Sequence, residues 1–221
     1  MLDNILFAPA HLFEQMEVER AFDSVWDRVE PLLQKEQKID EIFCRTGALG
    51  QYCIAAGYSW MGWDDDPAML ERVMLTRGFQ YAGLGGWSRL PMAQSEVILG
   101  CFAPLSQIAH PLLDDFMKHL HFALQEKGYC LLEDWIPKES TPLHRSYNGQ
   151  KEKWVAMCVP KKEAAVIHFA WHWMGSKGNE PIKRFVEEDI RYVHSASEIR
   201  SAARRAGFTV TLQDGWWILR K

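Results

Sequence analysis

Apolar positions Phe22, Val25, Trp26, Val29 and Leu33 recur at helical spacing and predict a helix over His11 to Leu33, with Pro31 near its end. A polar connector, Lys35 to Lys38, leads into a short strand at Ile39 to Cys44. A helix from Gly47 to Ala56 is closed by Gly57, and Ser59 to Trp63 reads as a second strand. Asp65-Asp66-Pro67 opens a helix running to Thr76, with acids at the end where backbone N–H groups are unpaired. Phe79 to Ala82 is expected as a third strand, followed by a flexible loop, Gly83-Leu84-Gly85-Gly86, that ends at Trp87. The uninterrupted apolar run Val97 to Cys101 has the character of a strand buried on both faces. Leu113, Phe116, Met117, Leu120, Ala123 and Leu124 form one apolar helix face, and Tyr129 to Trp135 reads as the fifth strand.

After Pro137 the pattern changes from helical alternation to ribbon. Trp154 to Val159 and Ala165 to Trp173 read as strands joined by a charged turn, and Phe185 to Tyr192 as a third. Ser195-Ala196-Ser197-Glu198 is a capping box that starts a helix to Ala206, stopped by Gly207. Phe208 to Leu212, the Asp214-Gly215 turn and Trp216 to Leu219 predict a terminal hairpin. Five strand–helix alternations imply an α/β fold with a doubly wound, mostly parallel sheet. To it are added a C-terminal antiparallel hairpin and an antiparallel lid. The expected organisation is one domain over 1–221, with an N-terminal helical cap at 1–35 and a lid insertion at 138–194.

Composition narrows the function. The formal net charge of −4 comes with no Lys/Arg stripe, which argues against nucleic acid. No apolar stretch approaches membrane-spanning length, and no basic region precedes an apolar run at the N-terminus, so a cytoplasmic protein is expected. The five cysteines are scattered in apolar surroundings without a CxxC pair, as for reduced, buried thiols. Ten tryptophans are many for this length; some belong to the core, and others could line a ligand or a dimer patch.

The segment from Glu41 to Asp64 orders strand, tight turn, helix and a second strand that ends in an acid. That order builds a nucleotide-type site, with a turn and helix N-terminus for one end of a ligand and a carboxylate for ribose hydroxyls.

This layout resembles the class I S-adenosylmethionine-dependent methyltransferases, in the branch acting on small molecules. Glu41 falls on the acid of the family's first motif and Thr46-Gly47 on its end. Gly57-Tyr58, Gly62-Trp63-Asp64 and Pro67-Ala68-Met69-Leu70 match the second-strand block. Val97 to Cys101 with Phe102-Ala103-Pro104-Leu105 resembles the fourth-strand block. Leu124 to Tyr129 sits at the family's Leu-x-x-Gly-Gly turn, and Ser197 to Arg200 with Ala206-Gly207-Phe208 matches the last helix and the strand after it. The resemblance implies S-adenosylmethionine as cofactor. Glu41 and the Gly47 turn would face its methionine end, and Asp64, with Asp65 beside it, the ribose. Met69 would pack near the adenine, Gly86 and Trp87 would stand where the family often has an adenine-reading acid, and Cys101 and Phe102 would lie beside the sulfonium. Phe43 and Arg45 occupy the first two glycine positions of the turn. Phe43 would stack or narrow the pocket, and Arg45 would pair with the cofactor carboxylate.

Methyl transfer from a sulfonium is an in-line displacement that needs alignment and exclusion of water. A hydroxyl or carbon nucleophile also calls for a base such as histidine. His168 and His172 share one face of a strand whose other face carries Ile167, Phe169, Trp171 and Trp173. They are the leading catalytic candidates, with structural, solvent-facing and metal-binding readings beside them and no third ligand to complete a metal site. His144 joins them, and Arg145, Tyr147 and His110 are candidates for substrate contacts. The implied activity is methylation of N or O on a small metabolite, aromatic ones among the candidates, in a monomer or homodimer. Two rivals stand beside it. One is a decayed or repurposed methyltransferase-like protein acting as partner subunit, scaffold or non-methylating enzyme. The other is a nicotinamide-dependent oxidoreductase, disfavoured because GxGxxG is absent.

Overall fold

The computed structural model describes residues 22–76, 78–101, 103–134, 143–148 and 152–221. Seven strands form one sheet: β1 (Lys38–Ile42), β2 (Ser59–Asp64), β3 (Ala82–Leu84), β4 (Ser95–Gly100), β5 (Leu124–Glu133), β11 (Thr209–Gln213) and β12 (Trp216–Arg220). Their order is β11-β12-β5-β4-β1-β2-β3. The five strands β5, β4, β1, β2 and β3 pair in parallel, and β12 runs antiparallel to both β5 and β11. The order in which strands are added to the sheet reverses between β1 and β4, so the carboxyl ends of these two parallel strands open a crevice where ligands bind in such sheets.

Helices cover both faces. α1 (Phe22–Val29), α2 (Ala48–Ala55) and α3 (Pro67–Thr76) pack on one side through Val25, Trp26, Leu49, Cys53, Leu70 and Val73. α4 (Leu113–Ala123) and α5 (Ala196–Ala206) pack on the other through Phe116, Met117, Leu120, Ile199 and Ala203. α5 begins at the expected capping box, Ser195 with Glu198, and ends at Gly207 with φ of 103°. All five cysteines are buried, and burial pushes the thiols of Cys53 and Cys130 up, away from the reactive thiolate. Among the described residues no helix is long and apolar enough to cross a membrane.

A second sheet comprises β6 (Leu143–Asn148), β7 (Glu152–Cys158), β8 (Lys161–Glu163), β9 (Val166–Lys177) and β10 (Lys183–Tyr192). Its order is β10-β9-β7-β6, with β8 also pairing β9, and all of these pairs are antiparallel. One face buries Trp154, Ala156, Ile167, Phe169, Trp171 and Trp173 against Met69 of α3.

Three expectations need correction. Phe79 to Tyr81 is a short helical turn, and the third strand follows it at Ala82 to Leu84, inside the stretch read as a glycine loop. Leu143 to Asn148, where the sequence pattern predicts no strand, is β6. The fifth strand begins at Leu124, directly after α4, rather than at Tyr129. The N-terminal helix is described only from Phe22 and passes at Glu30 into a short helical turn; residues 1–21, the larger part of the expected cap at 1–35, lie outside the described residues.

Candidate active site

The turn after β1 carries the central feature. Phe43 has φ of 54°, Arg45 of 51° and Gly47 of 72°. All three alternate positions are therefore left-handed, the conformation that favours glycine. The turn keeps the shape of a glycine-rich loop while two of its glycine positions carry side chains.

Asp64, at the end of β2, holds this shape. Its Oδ2 accepts from the Arg45 N–H at 2.8 Å and its Oδ1 from the Asp66 N–H at 3.0 Å. The Asp64 carbonyl accepts from the Gly85 N–H at 3.0 Å. One residue thus ties together the turn after β1, the start of α3 and the loop after β3. Burial pushes the Asp64 carboxyl up from the ordinary value, and the Asp66 and Arg45 N–H groups oppose that. Each carboxylate oxygen retains a second lone pair, so a vicinal diol can still be received.

Trp60 supports the turn from below. Its Nε1 donates to Glu41 Oε2 at 2.9 Å, and its ring packs against Gly47, Gly50 and Gly62. A Cβ on Gly62 would meet Cys44 Sγ at 2.6 Å and the Trp60 ring at 2.7 Å. Gly62→Ala is therefore expected to cost about 1–3 kcal/mol through overpacking, read as a lower urea midpoint at unchanged slope.

Other expected cofactor contacts are distributed around this centre. Asp65 and Gly86 approach each other, a Cβ on Gly86 falling 3.6 Å from that of Asp65. Met69 lies under the aromatic face of the second sheet. Cys101 is buried in the core at the end of β4, followed by Ala103 with φ of 55°. Trp87 is turned toward α4, its ring 5.3 Å from Phe116 and 5.8 Å from His119, so it packs as core rather than as an open pocket wall. Phe43 is 7% exposed and belongs to the cluster containing Leu90, Leu105 and Phe116. Phe102 lies outside the described residues.

The histidine expectations divide. His168 and His172 are exposed on the outer face of β9, and His168 Nε2 sits 4.0 Å from Glu163 Oε2 at the surface. The correction has a simple cause: the aromatic face carries far more apolar area, so it turns inward and the histidines turn out. His144, Arg145 and Tyr147 lie on β6, and their side chains are outside the described part. His110 packs beside the end of β10. Its ring lies 4.4 Å from His194 and 5.9 Å from Tyr192, and its Nε2 is 3.4 Å from the Ala165 carbonyl.

Two residues that the sequence reading passed over stand near it, at the end of β10. His194 is 5% exposed, and its Nε2 lies 2.8 Å from the Ile108 carbonyl. That carbonyl requires a proton on Nε2, so neutral His194 carries its lone pair on Nδ1, which has no hydrogen-bond partner. Burial lowers its pKa, an effect the Ile108 carbonyl opposes. It faces a small cavity with Ala103, Ser106 and Glu133, at the ends of β4 and β5. Arg191, on β10, is 12% exposed and bonds Asp189 Oδ2 through Nε and Nη2, each at 2.7 Å. Its Nη1 is buried without a hydrogen-bond partner, and Arg45 is near enough to lower its pKa, a smaller effect than burial and Asp189.

No protein-family model and no curated protein sequence matches the chain. Solved structures do. DesVI of Streptomyces venezuelae superposes with a TM-score of 0.83 at 12% identity, over 97% of this chain and 98% of that one. The sugar N-methyltransferase KedS8 of Streptoalloteichus gives 0.78 at 12% identity, over 100% and 96%. CalS10, an amino pentose methyltransferase of Micromonospora echinaspora solved with S-adenosylmethionine bound, gives 0.74 at 14% identity, over 100% and 99%. The described residues have the Rossmann-like fold of the S-adenosylmethionine-dependent methyltransferases.

Proposed function

We propose that the chain is an S-adenosylmethionine-dependent methyltransferase whose acceptor is a nitrogen or oxygen of a small metabolite. The observation that carries this reading is the left-handed backbone at Phe43, Arg45 and Gly47, closed by Asp64. Two non-glycine residues held there cost about 1–3 kcal/mol each, a strain that persists where the surroundings enforce it. The activities of KedS8, a sugar N-methyltransferase, and CalS10, an amino pentose methyltransferase, support the same class of chemistry.

The residues present fit the cofactor. A carboxylate with spare lone pairs suits ribose hydroxyls, and the buried Arg191 Nη1, within electrostatic range of Arg45, offers a cation for the methionyl carboxylate. The bound cofactor supplies an electrophilic methyl group on a cationic sulfur. The chain's own residues do the rest. Asp64 fixes the turn and orients the nucleoside end. Met69 and the inward aromatic face of the second sheet cover the crevice as a lid and keep water out. His194 stays neutral near pH 7 and lines the small cavity at the ends of β4 and β5, where its Nδ1 would accept the proton an acceptor N–H or O–H must lose.

The catalytic test is incubation with methyl-labelled S-adenosylmethionine and a panel of amino- and hydroxy-bearing small metabolites, sugars and aromatics included. Label in one acceptor, with S-adenosylhomocysteine released in equal amount, is the expected result. His194→Ala should lower kcat by about 10²- to 10⁴-fold if the proton leaves in the rate-limiting step, with KM little changed. Release of no S-adenosylhomocysteine across the panel favours a repurposed relative.

A further inference from the structure

We propose that, granted the methyltransferase reading on which this rests, the second sheet is part of the cofactor site and sets which nucleosides the chain accepts. Arg191 of β10 and Arg45 of the first sheet's turn hold one carboxylate between them, so that sulfonium nucleosides are selected by that group. β10 then recognises the ligand as well as covering it.

The register puts Arg191 opposite Ile167, Asp189 opposite Phe169 and Glu187 opposite Trp171. Residues paired across antiparallel strands share a face, so this row of charges lies on the buried, inward side of the second sheet. Charges on such a face need partners. Glu187 accepts from the Trp173 indole N–H at 3.1 Å. Asp189 Oδ2 takes both Nε and Nη2 of Arg191, each at 2.7 Å. That grip fixes one edge of the guanidinium and leaves Nη1 without a hydrogen-bond partner. A buried cationic donor with no acceptor is costly, and an anionic, acceptor-only group satisfies it best.

The surroundings identify the anion. β10 packs on the helical turn Pro104–Gln107 that follows β4. The residue after Arg191, Tyr192, lines the cavity with Ala103 and Glu133 at the ends of β4 and β5. Arg45 follows β1 and gives its backbone N–H to Asp64 at the end of β2. Burial lowers the Arg191 pKa, Asp189 opposes that, and the Arg45 charge lowers it further, so the two guanidinium groups are within range to repel. Across the strand order β4-β1-β2 the polar groups run Arg191, Arg45, Asp64. S-adenosylmethionine carries its groups in the same order, carboxylate at one end and ribose hydroxyls toward the other. A carboxylate between the two cations relieves their repulsion and ties β10 to the turn after β1.

Calorimetric titration of the full-length protein with S-adenosylmethionine, and separately with its decarboxylated analogue, tests this. The analogue keeps the nucleoside, the sulfonium and the amine and lacks only the carboxylate. The parent should bind S-adenosylmethionine about 10- to 100-fold more tightly than the analogue, the size expected of hydrogen bonds between charged groups. Arg191→Met should weaken S-adenosylmethionine by a similar factor, leave the analogue no weaker, and so remove most of the preference. Arg191→Gln, which keeps an N–H donor for Asp189, should do the same and stands in if Arg191→Met does not fold. Arg45→Gly, which suits the left-handed φ of 51° there, should remove part of the preference. Equal binding of both nucleosides by the parent overturns the two-arginine site and leaves the methyltransferase reading standing. A preference unchanged in the folded Arg191→Gln or Arg45→Gly protein overturns it as well. No binding of either nucleoside overturns both.

Discussion

Replacing Phe43 by glycine is expected to destabilise the protein by about 2–4 kcal/mol while leaving S-adenosylmethionine affinity within a few-fold. Two opposed effects set the stability. Glycine relieves a left-handed φ of 54°, which for an ordinary residue costs roughly 1–2 kcal/mol. It also empties a buried aromatic site among Leu90, Leu105 and Phe116, which costs about 3–5 kcal/mol, and it loosens the unfolded chain. Packing wins. The binding arm distinguishes two roles for the ring. A ring committed to core packing leaves the crevice open, and its removal changes affinity little. A ring that fills the cofactor's space would, once removed, improve affinity tenfold or more, and the proposed cofactor site would then be one the natural chain has closed. Urea denaturation and calorimetry on the same sample read both arms.

Asp64→Ala should remove cofactor binding, weakening it at least 100-fold, and lower stability by about 2–4 kcal/mol. The carboxylate accepts two backbone N–H bonds at 2.8 and 3.0 Å, and bonds to a charged group contribute about 1.5–3 kcal/mol each. Part of that is offset, because burial already disfavours the carboxylate. Asp64→Asn keeps one carbonyl acceptor and should lose about half as much stability. With its NH₂ facing one of the two backbone donors it should still bind cofactor poorly. Thermal unfolding with and without S-adenosylmethionine separates the two effects: the parent gains Tm on adding cofactor and Asp64→Ala does not.

His194 contributes a pH signature. Its folded pKa is depressed by burial, whereas in the unfolded chain it titrates near the ordinary histidine value of about 6.5. The unfolded state therefore binds the proton first as pH falls. Stability should drop from about pH 6.5 downward until the folded-state pKa is passed. His121 is depressed too, by burial and then Lys221, and adds to the same trend. A His194→Gln variant should show a shallower loss over that window in urea denaturation.

Much of the architecture was legible in the chain. Alternating strand and helix patterns gave the parallel sheet, and Ser195 with Glu198 and Gly207 marked both ends of α5. The misreadings have physical causes. Gly83 looked like loop punctuation, yet it sits within β3 because any side chain there would collide with the Trp63 ring. Leu143 to Asn148 has little apolar alternation and is a strand only because β7 pairs with it. On β9 the alternation placed histidines and aromatics on opposite faces correctly. Which face turns inward is a question of buried area, and the aromatics outweigh the imidazoles.

The site was half legible. Asp64 and the turn at Gly47 followed from the strand–turn–helix–acid order. The left-handed backbone at Phe43 and Arg45 did not, since bulky residues argue against it locally and only Asp64 and its neighbours enforce it. Arg191 could have been noticed: with Glu187 and Asp189 it places a charge at every second position of β10, on the same side as the buried aromatics. His194 gave no signal, because its role depends on the Ile108 carbonyl, 86 residues away in sequence.

Isothermal titration of the full-length protein with S-adenosylmethionine, and separately with S-adenosylhomocysteine, bears most directly on the left-handed turn as a cofactor cradle. One site per chain, with dissociation constants in the micromolar range for both and no heat for Asp64→Ala, is the expected outcome. No heat from either nucleoside with the folded parent protein would contradict it.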